Sequence, residues 1–431
     1  MTVRPDGVDL FLPASSGTEA LLAEEVTRIT GRAAEHARAG VWVRGDAHVA
    51  MQLNLESRLA QRVLWPLVDG PYRDEHDLYA LARQVRWTDW ITPAQTLRVD
   101  VNAQRSPLTS LNFTALRIKD AVCDALREAT GERPSVDTRH PDLPLVMYVG
   151  PDHAVLYADT TGEALFKRGW RDARGGREDV KGEAPLKETL AAAMLAAIGW
   201  QGRANDPPLL DPCCGAGTIA IEAAQIACGM APGAHRRFAF ERQLPFRPHL
   251  QAWASMREAA RARVHAPAVA VFAGDVSFRM TDFAQRNAER AGVAHAIAFK
   301  AGDALQRPPP ANGGVMLLNP PYGERIAPKG TGSRTGDRGG DGSGDGTDHM
   351  ARAGRERFEG DASSQAFFSG LAAHWKRHYA GWTAWVLTPD TQLPSHMRLK
   401  ESRRVPLWNG PIECRLFRFE LVAGSARAVS H

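Results

Sequence analysis

Cysteine is scarce in this sequence, and its spacing forms no pattern. The five cysteines, Cys123, Cys213, Cys214, Cys228 and Cys414, contain no Cys-x-x-Cys pair, and the vicinal Cys213 and Cys214 are badly placed to bridge each other. That argues against a disulfide framework and a zinc site, and for reduced thiols in a cytoplasmic protein with no metal centre. Long apolar runs are missing too. No segment approaches the ~18 apolar residues of a membrane span. Residues 1–12 lack the basic segment and apolar run of an export signal, so neither a membrane protein nor a secreted one is expected. Charge of one sign is not in strong excess: the formal net charge is +4, which suits nucleic acid without pointing to it. What is present is a globular composition, 44% apolar and 24% charged over 431 residues, enough for two or three domains.

The first 165 residues read as mixed α+β modules. Residues 8–14 form an apolar strand. Ser16 and Glu19 suggest a capping box, Leu22, Val26 and Ile29 repeat at helical spacing, and Gly31 closes the helix. Residues 41–43 and 49–55 alternate like a hairpin. A helix over 77–87, a strand over 97–101, a helix over 115–126 and a hairpin of 145–149 with 154–158 follow. Basic residues then cluster among glycines: Lys167, Arg168, Arg171, Arg174, Arg177 and Lys181. Such a stretch is either a solvated linker or an RNA contact in which Lys167, Arg168 and Arg171 meet phosphate.

From Pro185 onward helix and strand alternate, the rhythm of a mostly parallel α/β sheet, ending in an antiparallel hairpin turned at Asn409-Gly410. Residues 329–361 break that rhythm. They are rich in Gly, Ser, Asp, Thr and Arg and nearly free of apolar side chains. The composition predicts a disordered insert, with a mobile flap over the substrate as the alternative.

Four strand ends carry the chemistry. Leu209-Leu210-Asp211-Pro212-Cys213-Cys214-Gly215-Ala216-Gly217-Thr218 runs from strand through a glycine turn into a helix, the place where an open α/β sheet binds a nucleotide-like cofactor. Gly215, Gly217 and Ala220 also satisfy the loose dinucleotide pattern. Asp211 argues against it, because a carboxylate there suits a cationic amino group and repels a pyrophosphate. Asp275 ends the next strand and can accept both hydrogens of a ribose diol; Asp303 ends the one after and can accept from an adenine amine. Each acid alone is ordinarily a turn residue or a helix cap; three in succession form a set. Last comes Asn319-Pro320-Pro321-Tyr322. Its prolines withhold two N–H donors, so the Asn319 side-chain oxygen and the Pro320 carbonyl are left as two acceptors for a planar NH2 group, with the Tyr322 ring to stack a base.

These motifs resemble the class I S-adenosylmethionine-dependent N-methyltransferases. Further stretches, SSGTEALLAEEV, LNFTALRIKDAVCDALREATGERPSVD, GEALFKRGWR, EAPLKETLAAAML, HRRFAFER and LWNGPIECRLFRFEL, are similar to the THUMP-domain RNA guanine-N2 methyltransferases, most of all the bacterial enzymes acting on 23S ribosomal RNA. The resemblance covers nearly the whole chain except residues 329–361. It implies a ferredoxin-like domain over 1–60, a THUMP RNA-binding domain over 61–165, a basic linker over 166–184 and a Rossmann-like methyltransferase domain with a seven-stranded sheet over 185–431. It implies that Asp211, Cys213, Gly215, Gly217, Asp275, Asp303 and Asn319 hold S-adenosylmethionine, and that Asn319, Pro320, Pro321 and Tyr322 hold the guanine amine. The expected partner is RNA, 23S ribosomal RNA or a large-subunit assembly intermediate, with no membrane and no obligate protein partner. Ser277 stands where many relatives carry a second acid, and the end at His431 predicts that a second, fused methyltransferase found in some bacteria is absent. Rival readings are a tRNA guanine-N2 or DNA adenine-N6 methyltransferase, and a non-catalytic RNA-binding assembly factor.

Overall fold

The computed structural model describes residues 7–171, 186–320 and 361–422. By contacts these fall into two units. The first comprises residues 7–171, 188–199 and 228–265, and the second the remainder.

In the first unit the order is β1 (Val8–Pro13), α1 (Glu19–Thr30), β2 (Ala34–Ala37), β3 (Gly40–Gly45), α2 (Ala47–Glu56), β4 (Leu64–Pro71), α3 (Glu75–Arg83), β5 (Thr96–Ala103), α4 (Leu111–Thr130), β6 (Ser135–Val136), β7 (Leu143–Val149), β8 (His153–Asp159) and α5 (Glu188–Ala197). The strands form one eight-stranded sheet, β2-β3-β1-β4-β8-β7-β5-β6. Its core takes Leu10 and Leu12 of β1, Leu22 and Val26 of α1, and Ile118, Val122 and Leu126 of α4. These are the residues whose period of two or of three to four marks them in the sequence.

Two local expectations fail here. Residues 49–55 are helical, in α2, whose N-cap Asp46 accepts from the Val49 N–H at 3.0 Å. Ala47, Val49, Ala50, Met51, Leu53, Asn54 and Leu55 are all buried. A helix covered on nearly every side shows no single apolar stripe, so the chance alternation Val-x-Met-x-Leu-x-Leu looks like a strand. The Ser16 capping box does not form either. The cap of α1 is Thr18, whose hydroxyl donates to the Ser15 carbonyl at 2.7 Å, although Gly31 closes the helix at φ +67° as expected.

Helix α5 and residues 228–265, including α7 (Leu250–Ala262), belong to the first unit, where Ala192, Phe238, Phe240, Phe246 and Trp253 join its core. The chain leaves the second unit after α6 (Thr218–Ala227) and re-enters it ahead of β10 (Val271–Ala273).

The basic cluster turns out to be largely internal where it is described. Arg168 is 5% exposed, and its guanidinium donates to the carbonyls of Leu165 at 2.7 Å and Arg58 at 2.8 Å. Arg171 pairs with the buried Glu188 at 2.8 Å and lies over the Trp170 ring. Only Lys167 is exposed, 3.2 Å from Glu163. The expectation that all three meet phosphate is corrected for Arg168 and Arg171, whose charges are spent on carbonyls and a buried carboxylate. Arg174, Arg177, Lys181 and Pro185 lie outside the described residues. Arg168→Ala should therefore destabilise the protein by about 2–4 kcal/mol, because buried carbonyls lose charged donors. Lys167→Ala should fall within ~0.5 kcal/mol of wild type. Denaturant melts of the two variants check the contrast.

The second unit runs β9 (Leu209–Asp211), α6, β10, α8 (Phe278–Arg290), β11 (Ile297–Phe299), β12 (Gly314–Leu318), α9 (Asp361–His378), β13 (Trp382–Thr388), α10 (Leu393–Met397), β14 (Glu401–Asn409) and β15 (Ile412–Leu421). Its sheet has the order β11-β10-β9-β12-β13-β15-β14. The first five strands are parallel, and the C-terminal hairpin of β14 and β15 adds antiparallel to β13. Gly410, at φ +64°, makes the hairpin turn. Met316, Leu318, Phe368, Trp375, Val386 and Phe417 pack one face. With the strands parallel, their carboxyl ends share one edge, and the loops there form the crevice in which such sheets bind ligands.

Candidate active site

Asp211 closes β9 at that edge, 1% exposed, with the Cys213 N–H 3.3 Å from its Oδ1. The turn after it needs its glycines. Gly215 and Gly217 lie at φ +51° and +83°, and a Cβ at Gly217 would stand 3.0 Å from the Ala284 Cβ of α8. The turn is sewn to β10: the Cys214 N–H donates to the Gly274 carbonyl at 2.8 Å, and the Gly274 N–H to the Asp211 carbonyl at 3.0 Å.

Asp275 follows Gly274. Its Oδ2 accepts from the Gly215 N–H and its Oδ1 from the Ser277 N–H, both at 3.0 Å. Each oxygen keeps a second lone pair, so a diol can still be held. Ser277, two residues on, caps α8 by accepting from the Met280 N–H at 3.3 Å. The Gly302 N–H donates to the Asp275 carbonyl at 2.9 Å, bringing the next strand end alongside. There Asp303 lines a cavity of about 200 Å³ with Lys300, Ala301, Gly302, Gln306, Arg307 and Pro308. Its Oδ1 accepts from the Leu305 N–H at 2.8 Å.

Asn319 stands one residue past β12. Because Met316 pairs with Leu210, it shares the edge with Asp211. Its Oδ1 is buried and has no hydrogen-bond partner among the described residues. An orphaned buried acceptor is costly, and a ligand NH2 group would satisfy it. Pro320 is buried beside it, whereas Pro321, Tyr322 and most of residues 329–361 lie outside the described residues.

Arg307 belongs to the site although the sequence does not mark it. It is 7% exposed, and a Cβ at Gly274 would collide with its guanidinium and with the Lys300 carbonyl. Its own carbonyl accepts from His374 at 2.7 Å and from the Tyr379 hydroxyl at 3.0 Å, which fixes its backbone. In sequence it reads as a polar residue before Pro308-Pro309-Pro310. The available clue was the glycine before Asp275, a position with no room for a side chain. Burial pushes the Asp211 carboxyl up to about 8; the Cys213 N–H opposes this, the Asp275 charge adds to it, and Arg307 opposes it. Burial also raises Asp275, against the N–H groups of Ser277 and Gly215, and lowers Arg307.

A seven-stranded sheet of this order, with acids ending its first three neighbouring strands and Asn-Pro ending the fourth, defines a class I methyltransferase. Residues 174–334 match the family described as RMKL-like, methyltransferase domain, residues 72–159 the THUMP domain and residues 9–64 the RlmL ferredoxin-like domain. The chain belongs to the RMKL-like, THUMP-containing methyltransferase family. It is 33% identical over 423 residues to the ribosomal RNA large subunit methyltransferase K/L of Syntrophotalea carbinolica, covering 96% of this chain and 54% of that one. It thus spans about half the length of the curated K/L relatives it matches. A candidate RNA methyltransferase of Synechocystis is 31% identical over 425 residues, 97% of each chain. The crystal structure of SMU.472, a candidate methyltransferase complexed with S-adenosylhomocysteine, superposes with a TM-score of 0.79 at 23% identity, over 98% of this chain and all of that one. The cofactor of this family is S-adenosylmethionine, and the site fits it: a buried acid for the amino group, an acid with spare lone pairs for the ribose, and an acid beside a cavity for the adenine. No described helix is long and apolar enough to cross a membrane.

A pH dependence follows from Asp211. Without cofactor its carboxyl, raised to about 8, holds a proton through neutrality. An acid raised above its unfolded value favours folding below that value and loses this contribution as pH climbs toward 8. If Asp211 is the partner of the cofactor's ammonium, pairing requires the ionised form, and binding should release a proton and strengthen from pH 5 to 7. Calorimetry in buffers of different ionisation enthalpy measures the release, and Asp211→Asn should abolish it.

Proposed function

We propose that this chain transfers the methyl group of S-adenosylmethionine to the exocyclic N2 amine of a guanine in 23S ribosomal RNA. The observation that carries the reading is the buried Oδ1 of Asn319, without a hydrogen-bond partner among the described residues, at the edge where the three acids end. The likeness to the K/L enzymes and the THUMP match favour a ribosomal RNA substrate, free or in a large-subunit assembly intermediate.

In this reading the first unit holds the RNA and a guanine is extruded into the site. Asp211, the Cys213–Gly217 turn, Asp275 and Asp303 seat the cofactor. Asn319 Oδ1 and the Pro320 carbonyl accept the two N–H bonds of the amine, which draws the nitrogen lone pair out of conjugation with the ring and fixes its direction. The roles of Pro321 beside the amine and of Tyr322 against the base rest on the Asn319-Pro320-Pro321-Tyr322 motif of the sequence. The bound cofactor supplies a methyl group on a sulfonium, the electrophile for that lone pair. The methylated nitrogen then loses a proton easily, so the residues need supply no strong base. Catalysis rests on positioning and on exclusion of water.

Deleting the gene and mapping modified nucleosides in ribosomal and transfer RNA tests the substrate. Loss of one N2-methylguanosine from 23S ribosomal RNA is expected. Loss from tRNA instead, or of N6-methyladenine from DNA, would favour the corresponding amine methyltransferase. An unaltered profile with defective ribosome assembly would favour a non-catalytic role.

A further inference from the structure

Residues 228–265 carry seven arginines and no lysine, against two glutamates. They fall outside the THUMP and ferredoxin-like matches, yet belong to the same unit as both. Three of these arginines are spent within the fold. Arg236 donates to the carbonyls of Ala164 at 2.9 Å and Lys167 at 3.0 Å, Arg242 pairs with Asp142 at 2.9 Å, and Arg263 pairs with Glu56. Arg261 is different. It is exposed on α7, and its guanidinium has no hydrogen-bond or ion-pair partner among the described residues.

Arg257 stands four residues before Arg261, on the same face of the helix. Its Nη2 donates to the Ala234 carbonyl at 3.3 Å, which brings α7 against the backbone that carries His235. Its Nε has no partner among the described residues. His235 belongs to the same cluster: partial burial lowers its imidazole, and the charges of Arg261 and Arg257 lower it further. Glu258, the acid nearest in sequence, is exposed and pairs with none of the three among the described residues. Like charges four residues apart weaken a helix, so the fold gains nothing from this arrangement. Cations gathered without a counter-charge attract an anion. The forked guanidinium, used here to the exclusion of lysine, matches the oxygens of a phosphate.

Resting on the RNA-methyltransferase reading, we infer that α7 and the His235 turn form a second RNA-docking surface in the first unit, beyond the matched THUMP residues, with Arg257 and Arg261 on backbone phosphates of the substrate RNA. Because it meets phosphates and not bases, this surface adds affinity and orientation without reading sequence.

The test measures binding of the full chain to 23S ribosomal RNA from a strain lacking the gene, over a range of salt. Arg261→Ala should lower the salt slope of log K by about 0.7 to 0.9, one phosphate contact, which is about five- to eightfold in affinity near 0.1 M salt. Adding Arg257→Gln should about double the change in slope. Arg261→Lys keeps the charge and should keep the slope. Cofactor affinity and the denaturant midpoint of Arg261→Ala should match wild type, since that side chain holds nothing in the fold. Arg286→Ala, which removes the same charge from an exposed pair with Asp282 on α8, should leave the slope unchanged. An unchanged slope in Arg261→Ala, with the wild type binding and methylating the RNA, would overturn this inference alone and leave the surface to an acidic protein. An equal fall in Arg286→Ala would also overturn it, reducing the effect to net charge. A wild type that neither binds nor methylates ribosomal RNA would overturn the substrate reading and this inference together.

Discussion

Asn319→Ala should fold normally and bind S-adenosylmethionine with nearly wild-type affinity, yet lose methyl transfer by about 10²-fold or more. The side chain is no part of the sheet, and its Oδ1 has no partner among the described residues whose loss would cost stability. The substitution removes an acceptor that is unsatisfied among the described residues. In the complex with substrate it deletes one of two acceptors that orient the amine, and a misdirected lone pair is expensive for a reaction that depends on position. Asn319→Asp keeps an oxygen in the same place and should retain more activity than Ala, although its charge costs desolvation. Single-turnover rates with saturating cofactor and RNA isolate the chemical step. A wild-type rate in Asn319→Ala would make the segment a structural turn.

The second large effect belongs to the cofactor. Asp275→Ala should weaken S-adenosylmethionine by about 2–3 kcal/mol, on the order of 30- to 150-fold. Part of the loss is direct, from the ribose hydroxyls. Part is indirect, because Asp275 also anchors the Gly215 and Ser277 N–H groups and so holds the glycine turn to the start of α8. Asp275→Asn keeps one oxygen acceptor and should lie between Ala and wild type. Titration calorimetry ranks the three; equal affinities would remove Asp275 from the site.

Legibility in the sequence followed the physics of each element. The second sheet was readable because short apolar strands bounded by turn residues alternate with helices there. The acids that matter stand at strand ends, where a motif and a structural position coincide. The hairpin at Asn409-Gly410 was readable because that turn demands a left-handed glycine. Helix α2 was not, because burial on all sides erases the stripe that separates helix from strand. Arg168 and Arg171 were misread for a related reason. Charge and glycine in a row look solvated, and only tertiary contacts reveal that Glu188 and the carbonyls of Leu165 and Arg58 await them. The return of residues 228–265 to the first unit was equally hidden, since Phe238, Phe240, Phe246 and Trp253 could fill any core. Arg307 was missed because its importance lies in a collision with the absent side chain of Gly274, a relation between two loops that no local pattern encodes.

The most direct test of the account is chemical identification of the product. Purified protein is incubated with S-adenosylmethionine carrying a deuterated methyl group and with 23S ribosomal RNA from a strain lacking the gene, and the RNA is digested to nucleosides for mass spectrometry. The account predicts one labelled nucleoside, N2-methylguanosine, formed by the wild type and nearly absent with Asn319→Ala. Label on a ring nitrogen, a ribose oxygen or adenine N6, or no label in ribosomal RNA at all, would contradict it.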